Sequence, residues 1–86
     1  MNETEIRECL RHVSMGGKVA ELGMEQLFKL YAARIKAFYR RHRLSDEVAA
    51  DLLQETFIKI YRSADTFQGN SKVSTWIWTI ARNCML

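Results

Sequence analysis

The sequence contains no proline and only four glycines in 86 residues, so little in it interrupts a helix or supplies the turns of a sheet. Its two cysteines, Cys9 and Cys84, lie near opposite ends without the paired spacing of a disulfide framework, and they read as reduced, partly buried thiols. No apolar run approaches the roughly 20 residues that cross a bilayer, and the charged N-terminus lacks the apolar stretch of a signal peptide. Membrane insertion is therefore not expected, and the cytoplasm is the expected location. The length allows one core, and an apolar share of 48% argues against disorder. The expectation is an all-α chain, a compact bundle of about four helices forming one domain over residues 1–86.

Apolar spacing places those helices. The first is predicted from about Thr4 to Ser14, with Ile6, Leu10 and Val13 on one face and Glu3 and Glu5 at the positive end of its dipole, stopping at Gly16-Gly17. The second runs from about Met24 to Arg43, and Leu27, Phe28, Tyr31, Ile35 and Phe38 form its core stripe. After a break at Leu44 and Ser45, the third spans Asp46–Ser63, with acids in its first turn. It buries Ala49, Leu52, Leu53, Thr56, Phe57 and Ile60, and it turns Asp51, Glu55, Ile58 and Arg62 outward. Residues 65–71 lose the periodicity to Gly and Asn and read as a loop, with Ser71 the expected N-cap of a fourth helix. There Val73, Trp76, Ile77, Ile80, Ala81 and Cys84 make the apolar stripe, while Thr75, Trp78, Thr79, Arg82 and Asn83 stay largely outside. That stripe is still running at Leu86, as expected of a piece of a longer protein.

The net charge of +3 is modest, but it is segregated. Lys29, Arg34, Lys36, Arg40, Arg41 and Arg43 form a block free of acids, and Asp46, Glu47, Asp51 and Glu55 follow free of bases. Two solvated helix faces would account for this pattern, as would two surfaces for different partners.

Enzymatic chemistry has little to stand on. There is no nucleophile elbow and no glycine-rich phosphate loop, and the carboxylates fall on ordinary helical faces. Cys9 and His12, with His42 or Cys84, fall short of a four-ligand zinc signature, so neither a metal nor a cofactor is implied.

The specific signal is the stretch from Asp51 to Asn83: DLLQETFIKIYR, then FQGNS, then STWIWTIARN. In order and spacing it closely resembles region two of the extracytoplasmic-function sigma factors of bacterial RNA polymerase. The likeness extends back through Leu27-Phe28 and Tyr31, covering roughly residues 16–86. The resemblance implies a helical, non-enzymatic domain that docks on core polymerase and recognises and melts the minus-ten promoter element. It implies docking on the coiled coil of the beta-prime subunit through Asp51, Gln54 and Glu55, supported by Arg34 and Arg41. For the minus-ten non-template strand it implies Phe67, Asn70, Ser71, Lys72, Trp78, Arg82 and Asn83, with Lys59, Tyr61 and Arg62 on the adjoining helix. That mixture suits single-strand capture, because amide or aromatic groups hold an unstacked base while Lys and Arg hold phosphates. Trp76, on the apolar stripe, reads as core instead.

The chain departs from the family pattern in two ways. Gln68-Gly69-Asn70 stands where the family commonly carries Arg-Gly-Asp, which removes one charge of each sign from the loop. Complete members also continue into a region-four domain that reads the minus-35 element, which is not expected within these 86 residues. An anti-sigma protein is a further expected partner. The alternative reading is a sigma-like decoy that binds an anti-sigma factor without binding DNA.

Overall fold

A computed structural model of residues 1–86 turns these periodicities into four α-helices, α1 (Glu3–Met15), α2 (Gly17–Arg41), α3 (Asp46–Ser63) and α4 (Val73–Met85), with one 3-10 turn at Ala64–Thr66 and no strand. Helix α1 folds back along α2, which packs on α3, which packs on α4; α1 also reaches the 3-10 turn and the start of α4.

The helix ends follow local chemistry. Asn2 caps α1 by accepting the Glu5 amide, and the Glu5 side chain answers the Asn2 amide, a reciprocal capping box. Ser45 caps α3 by accepting the Val48 amide at 3.1 Å, with Asp46 and Glu47 in the first turn. Between α1 and α2 the chain reverses through Gly16 and Gly17, both at positive φ (76° and 67°), where a side chain would be strained. The closeness of these two helices depends on Gly23. A Cβ there would stand 2.6 Å from the Cys9 carbonyl oxygen.

Several boundaries differ from expectation. Helix α2 starts at Gly17, not near Met24, because the apolar face continues backward through the buried Ala20 and Gly23, and Lys18 pairs with Glu21 at 3.4 Å on the outer side. It ends at Arg41, not Arg43, since Arg43 turns to a φ of 65° and breaks the helix. The start of the expected loop, together with Ala64 before it, winds into the 3-10 turn. Ser71 is not the N-cap of α4. Lys72 occupies that position without a side-chain bond, and the acceptor comes from α1.

The core draws on every helix: Leu10, Leu27, Tyr31, Ile35, Tyr39, Ile60, Val73 and Ile77 are all buried. Leu52, Leu53, Trp76 and Ile80 are half-buried against it. Phe28, expected in the core stripe, is 48% exposed, and Tyr39 fills the interior position that the expected stripe omitted. The buried α2 positions 27, 31, 35 and 39 recur every four residues, which leaves Phe28 at the edge and Phe38 half-buried. No helix is long and apolar enough to cross a membrane.

Candidate nucleic-acid and partner interfaces

The loop and α4 share one polar surface. Gln68, Asn70, Ser71 and Lys72 border it, and the polar face continues along α4 through Thr75, Thr79, Arg82 and Asn83, a run with helical spacing. The first turn of α4 carries no acid of its own, and Lys72 stands at its positive end, where the anion is the Glu3 carboxylate of α1, which accepts the Val73 amide. This surface brings together five of the expected DNA contacts: Asn70, Ser71, Lys72, Arg82 and Asn83.

The two aromatic candidates sit differently. Phe67 is half-buried, with Trp76 edge-on at 5.7 Å and the Arg7 guanidinium 5.6 Å from its ring centroid, so its ring is engaged within the fold. Trp78, expected largely outside, is half-buried edge-on against Phe38 at 5.4 Å. It sits with Ala37, Arg34 and Arg41 around an open cleft between α2 and α4. Arg34 and Arg41 therefore share a cleft with Trp78.

The other members of the expected set lie on α3. Lys59 pairs with Glu55 at 3.6 Å, which places it beside an expected docking residue. Tyr61 and Arg62, with Met24, Phe28, Gln54 and Ile58, line an open apolar groove between α2 and α3 to which α4 contributes nothing. Phe28 and Phe57 pack their rings 5.0 Å apart in its floor. Ile58 is 42% exposed and Tyr61 54% exposed at its margin. Asp51, Gln54, Glu55 and Ile58 follow one another on the outer face of α3, so the carboxylates and the amide form a polar margin to apolar surface. Sequence reasoning missed the half-buried Met24 and the exposed Phe28 as groove-lining residues.

Sequence reasoning also missed a junction between α1 and the loop. Glu3 Oε2 accepts the Val73 amide at 3.0 Å and the Arg7 Nε at 2.8 Å, and Arg7 Nη2 donates to the Ser71 carbonyl at 3.0 Å. Burial pushes the Glu3 carboxyl up, but the Val73 amide, Arg7 and Lys72 outweigh it and hold the group below the usual glutamate range. Nothing in the local sequence signals a cap delivered from 70 residues away.

Cys9 and Cys84 are buried and unpaired. Burial, followed by the charges of Glu5 and Glu8, pushes the Cys9 thiol up and away from the reactive thiolate. No three His, Cys, Asp or Glu side chains come together as a metal site.

Comparison with known proteins places the chain in a family. The profile of the family described as Sigma-70 region 2 matches residues 27–86. The chain is 37% identical over 65 residues to the RNA polymerase sigma factor YlaC of Bacillus subtilis, covering 73% of this chain and 36% of that protein. It is 34% identical over 64 residues to the RNA polymerase sigma factor CarQ of Myxococcus xanthus, covering 74% and 37%. It is 40% identical over 53 residues to the ECF RNA polymerase sigma-E factor of Escherichia coli, covering 62% and 27%. The chain thus spans little more than a third of the first two proteins. No solved structure matches it significantly.

Proposed function

The chain belongs to the sigma-70 region 2 family, and from that membership we propose that it is a transcription-initiation module that docks on core RNA polymerase and holds the opened minus-ten element of a promoter. It carries out no reaction of its own, because the polymerase supplies the chemistry, and it acts in the cytoplasm. An anti-sigma protein is the regulatory partner that goes with this role.

The observation that carries the reading is the separation of two exposed surfaces on one small bundle. The α2–α3 groove has an apolar floor with Gln54 at its rim, and Asp51 and Glu55 are exposed on the adjoining outer face of α3. Apolar area supplies affinity for a partner helix, and the polar margin supplies orientation. We assign this surface to the beta-prime coiled coil and extend it to Phe28 and Ile58. The loop and the polar face of α4 suit a displaced single strand. Asn70 and Ser71 provide hydrogen-bonding groups for an extruded base, while Lys72 and Arg82 provide cations for its phosphates. Arg34, Arg41 and Trp78 adjoin this second surface, which supports a contact with nucleic acid in preference to the docking role that the family resemblance implies for the two arginines.

Capture of purified core polymerase on the immobilised 86-residue chain tests the docking half. The chain should retain polymerase, and the paired change Gln54→Ala with Glu55→Ala should lose most of it. The melting curve should scarcely move, since exposed polar changes cost little stability. Undiminished capture by the paired variant would remove this surface from the assignment.

A further inference from the structure

The loop expected to read the base is rich in Gly, Asn and Ser and has little internal structure. Its own side-chain bonds, Asn70 to Gln68 at 3.4 Å and Ser71 to the Lys72 carbonyl at 3.3 Å, are long. What orders it comes from α1, outside residues 27–86 matched by the family profile. Glu3 accepts the first amide of α4, which Lys72 leaves uncapped. Arg7 uses its planar fork in two directions, to the Glu3 carboxylate and to the Ser71 carbonyl, and lies over the Phe67 ring. A Cβ on Gly69 would come within 3.3 Å of Arg7 Nη1. Arg7 therefore touches the loop near its beginning, its middle and its end, with Asn70 between the last two points.

Recognition of a single base requires the contacting groups to be held within about 0.5 Å, which usually falls to neighbours that never meet the ligand. We propose that Glu3 and Arg7 are positioning residues that set the base preference of Asn70 and Ser71 by holding the segment 67–73 in one conformation, without contacting DNA themselves. The inference rests on the proposed minus-ten role of the loop.

The test uses the 86-residue chain, Arg7→Ala, Arg7→Lys and Glu3→Ala, each first verified as folded by circular dichroism. One readout is exchange of the Val73 amide by NMR. The other is binding, by fluorescence anisotropy, to the single-stranded sequence the unmutated chain selects from a pool randomised at the minus-ten element, and to a scrambled version. Both alanine variants should speed Val73 exchange at least tenfold and reduce the preference for the selected strand about fivefold or more. Binding to the scrambled strand should change less than twofold. Arg7→Lys keeps the charge but loses the fork, so it should behave like Arg7→Ala. Adding Asn70→Ala to Arg7→Ala should have little further effect, because both remove the same recognition.

Faster Val73 exchange with an undiminished preference would show that the junction exists but positions nothing, and would overturn the proposal. So would unchanged exchange. Uniform weakening on both strands, with a shallower salt dependence and rescue by Arg7→Lys, would make Arg7 a phosphate contact instead. Equal binding of the two strands by the unmutated chain would remove the minus-ten reading and the positioning role together, a result distinct from any failure confined to the variants.

Discussion

The hydroxyl of Tyr39, fully buried on α2, donates a 2.7 Å hydrogen bond to the carbonyl of Ala81 on α4. The same hydroxyl lies 2.7 Å from Thr56 Oγ1 on α3, and Thr56 in turn donates to the Leu52 carbonyl at 2.7 Å. Two hydroxyl protons serve three short contacts, and the three helices meet at this point. Burial pushes the Tyr39 ionisation up, so the group remains a donor at physiological pH. Tyr39→Phe keeps the ring and deletes the link. It should lower unfolding stability by about 1 kcal/mol, measured by urea denaturation, with helix content unchanged. An unshifted midpoint would mean that the hydroxyl contributes nothing net.

Gly23 sets the approach of α1 to α2. Its hypothetical Cβ would meet the backbone oxygen of Cys9 at 2.6 Å, and backbone cannot move aside as a flexible side chain can. Gly23→Ala should therefore destabilise the chain by about 1 to 3 kcal/mol, as overpacking does, despite alanine's higher helix propensity. A thermal melt showing stabilisation would mean that the two helices have room to spare at this crossing.

Acid should loosen the α1 junction. Although burial raises the Glu3 pKa, the Val73 amide, Arg7 and Lys72 lower it more, leaving the folded value below the unfolded one. The ionised carboxylate accordingly stabilises the fold above the ordinary glutamate pKa of about 4.3. That stabilisation disappears as pH falls through the folded value. Glu8, held low first by its hydrogen bond from Arg11, titrates in the same range. Glu3→Gln should therefore flatten the loss of stability below about pH 4.3 without abolishing it. Identical stability profiles for the two proteins would remove Glu3 from the acid response.

Much of the fold was readable because it rests on local signals. The Ser45 cap, the acids after it and the 3.6-residue stripe of α3 all agree, and the helix spans the expected residues, Asp46–Ser63. The start of α2 was harder to read. The expected start near Met24 left out Gly23, which is helical and serves packing. Phe28 lies farther out and Trp78 farther in than expected, since periodicity gives the face of a helix but not how far a neighbour covers it. The motif from Asp51 to Asn83 pointed to the candidate surfaces. Their grouping depended on helix packing, which placed Tyr61 and Arg62 on the groove and Arg34 and Arg41 beside Trp78. The Glu3–Val73 bond joins residues 70 apart and leaves no local trace.

Charge and base recognition should be separable along α4. Arg82 is exposed on its polar face, and the proposed function gives it the phosphates, so Arg82→Ala should weaken binding to every single-stranded sequence by a similar factor and make the salt dependence shallower. Asn70→Ala should instead reduce the preference among sequences. A sequence-selective loss in Arg82→Ala would move that residue to the base.

The most direct measurement of minus-ten recognition is the affinity of the unmutated chain for a selected non-template oligonucleotide and for its scrambled counterpart, by fluorescence anisotropy at two salt concentrations. Binding should be tighter to the selected strand and should weaken as salt rises. Equal affinity for the two strands would contradict sequence recognition, and binding to neither would leave a sigma-like decoy that meets only protein.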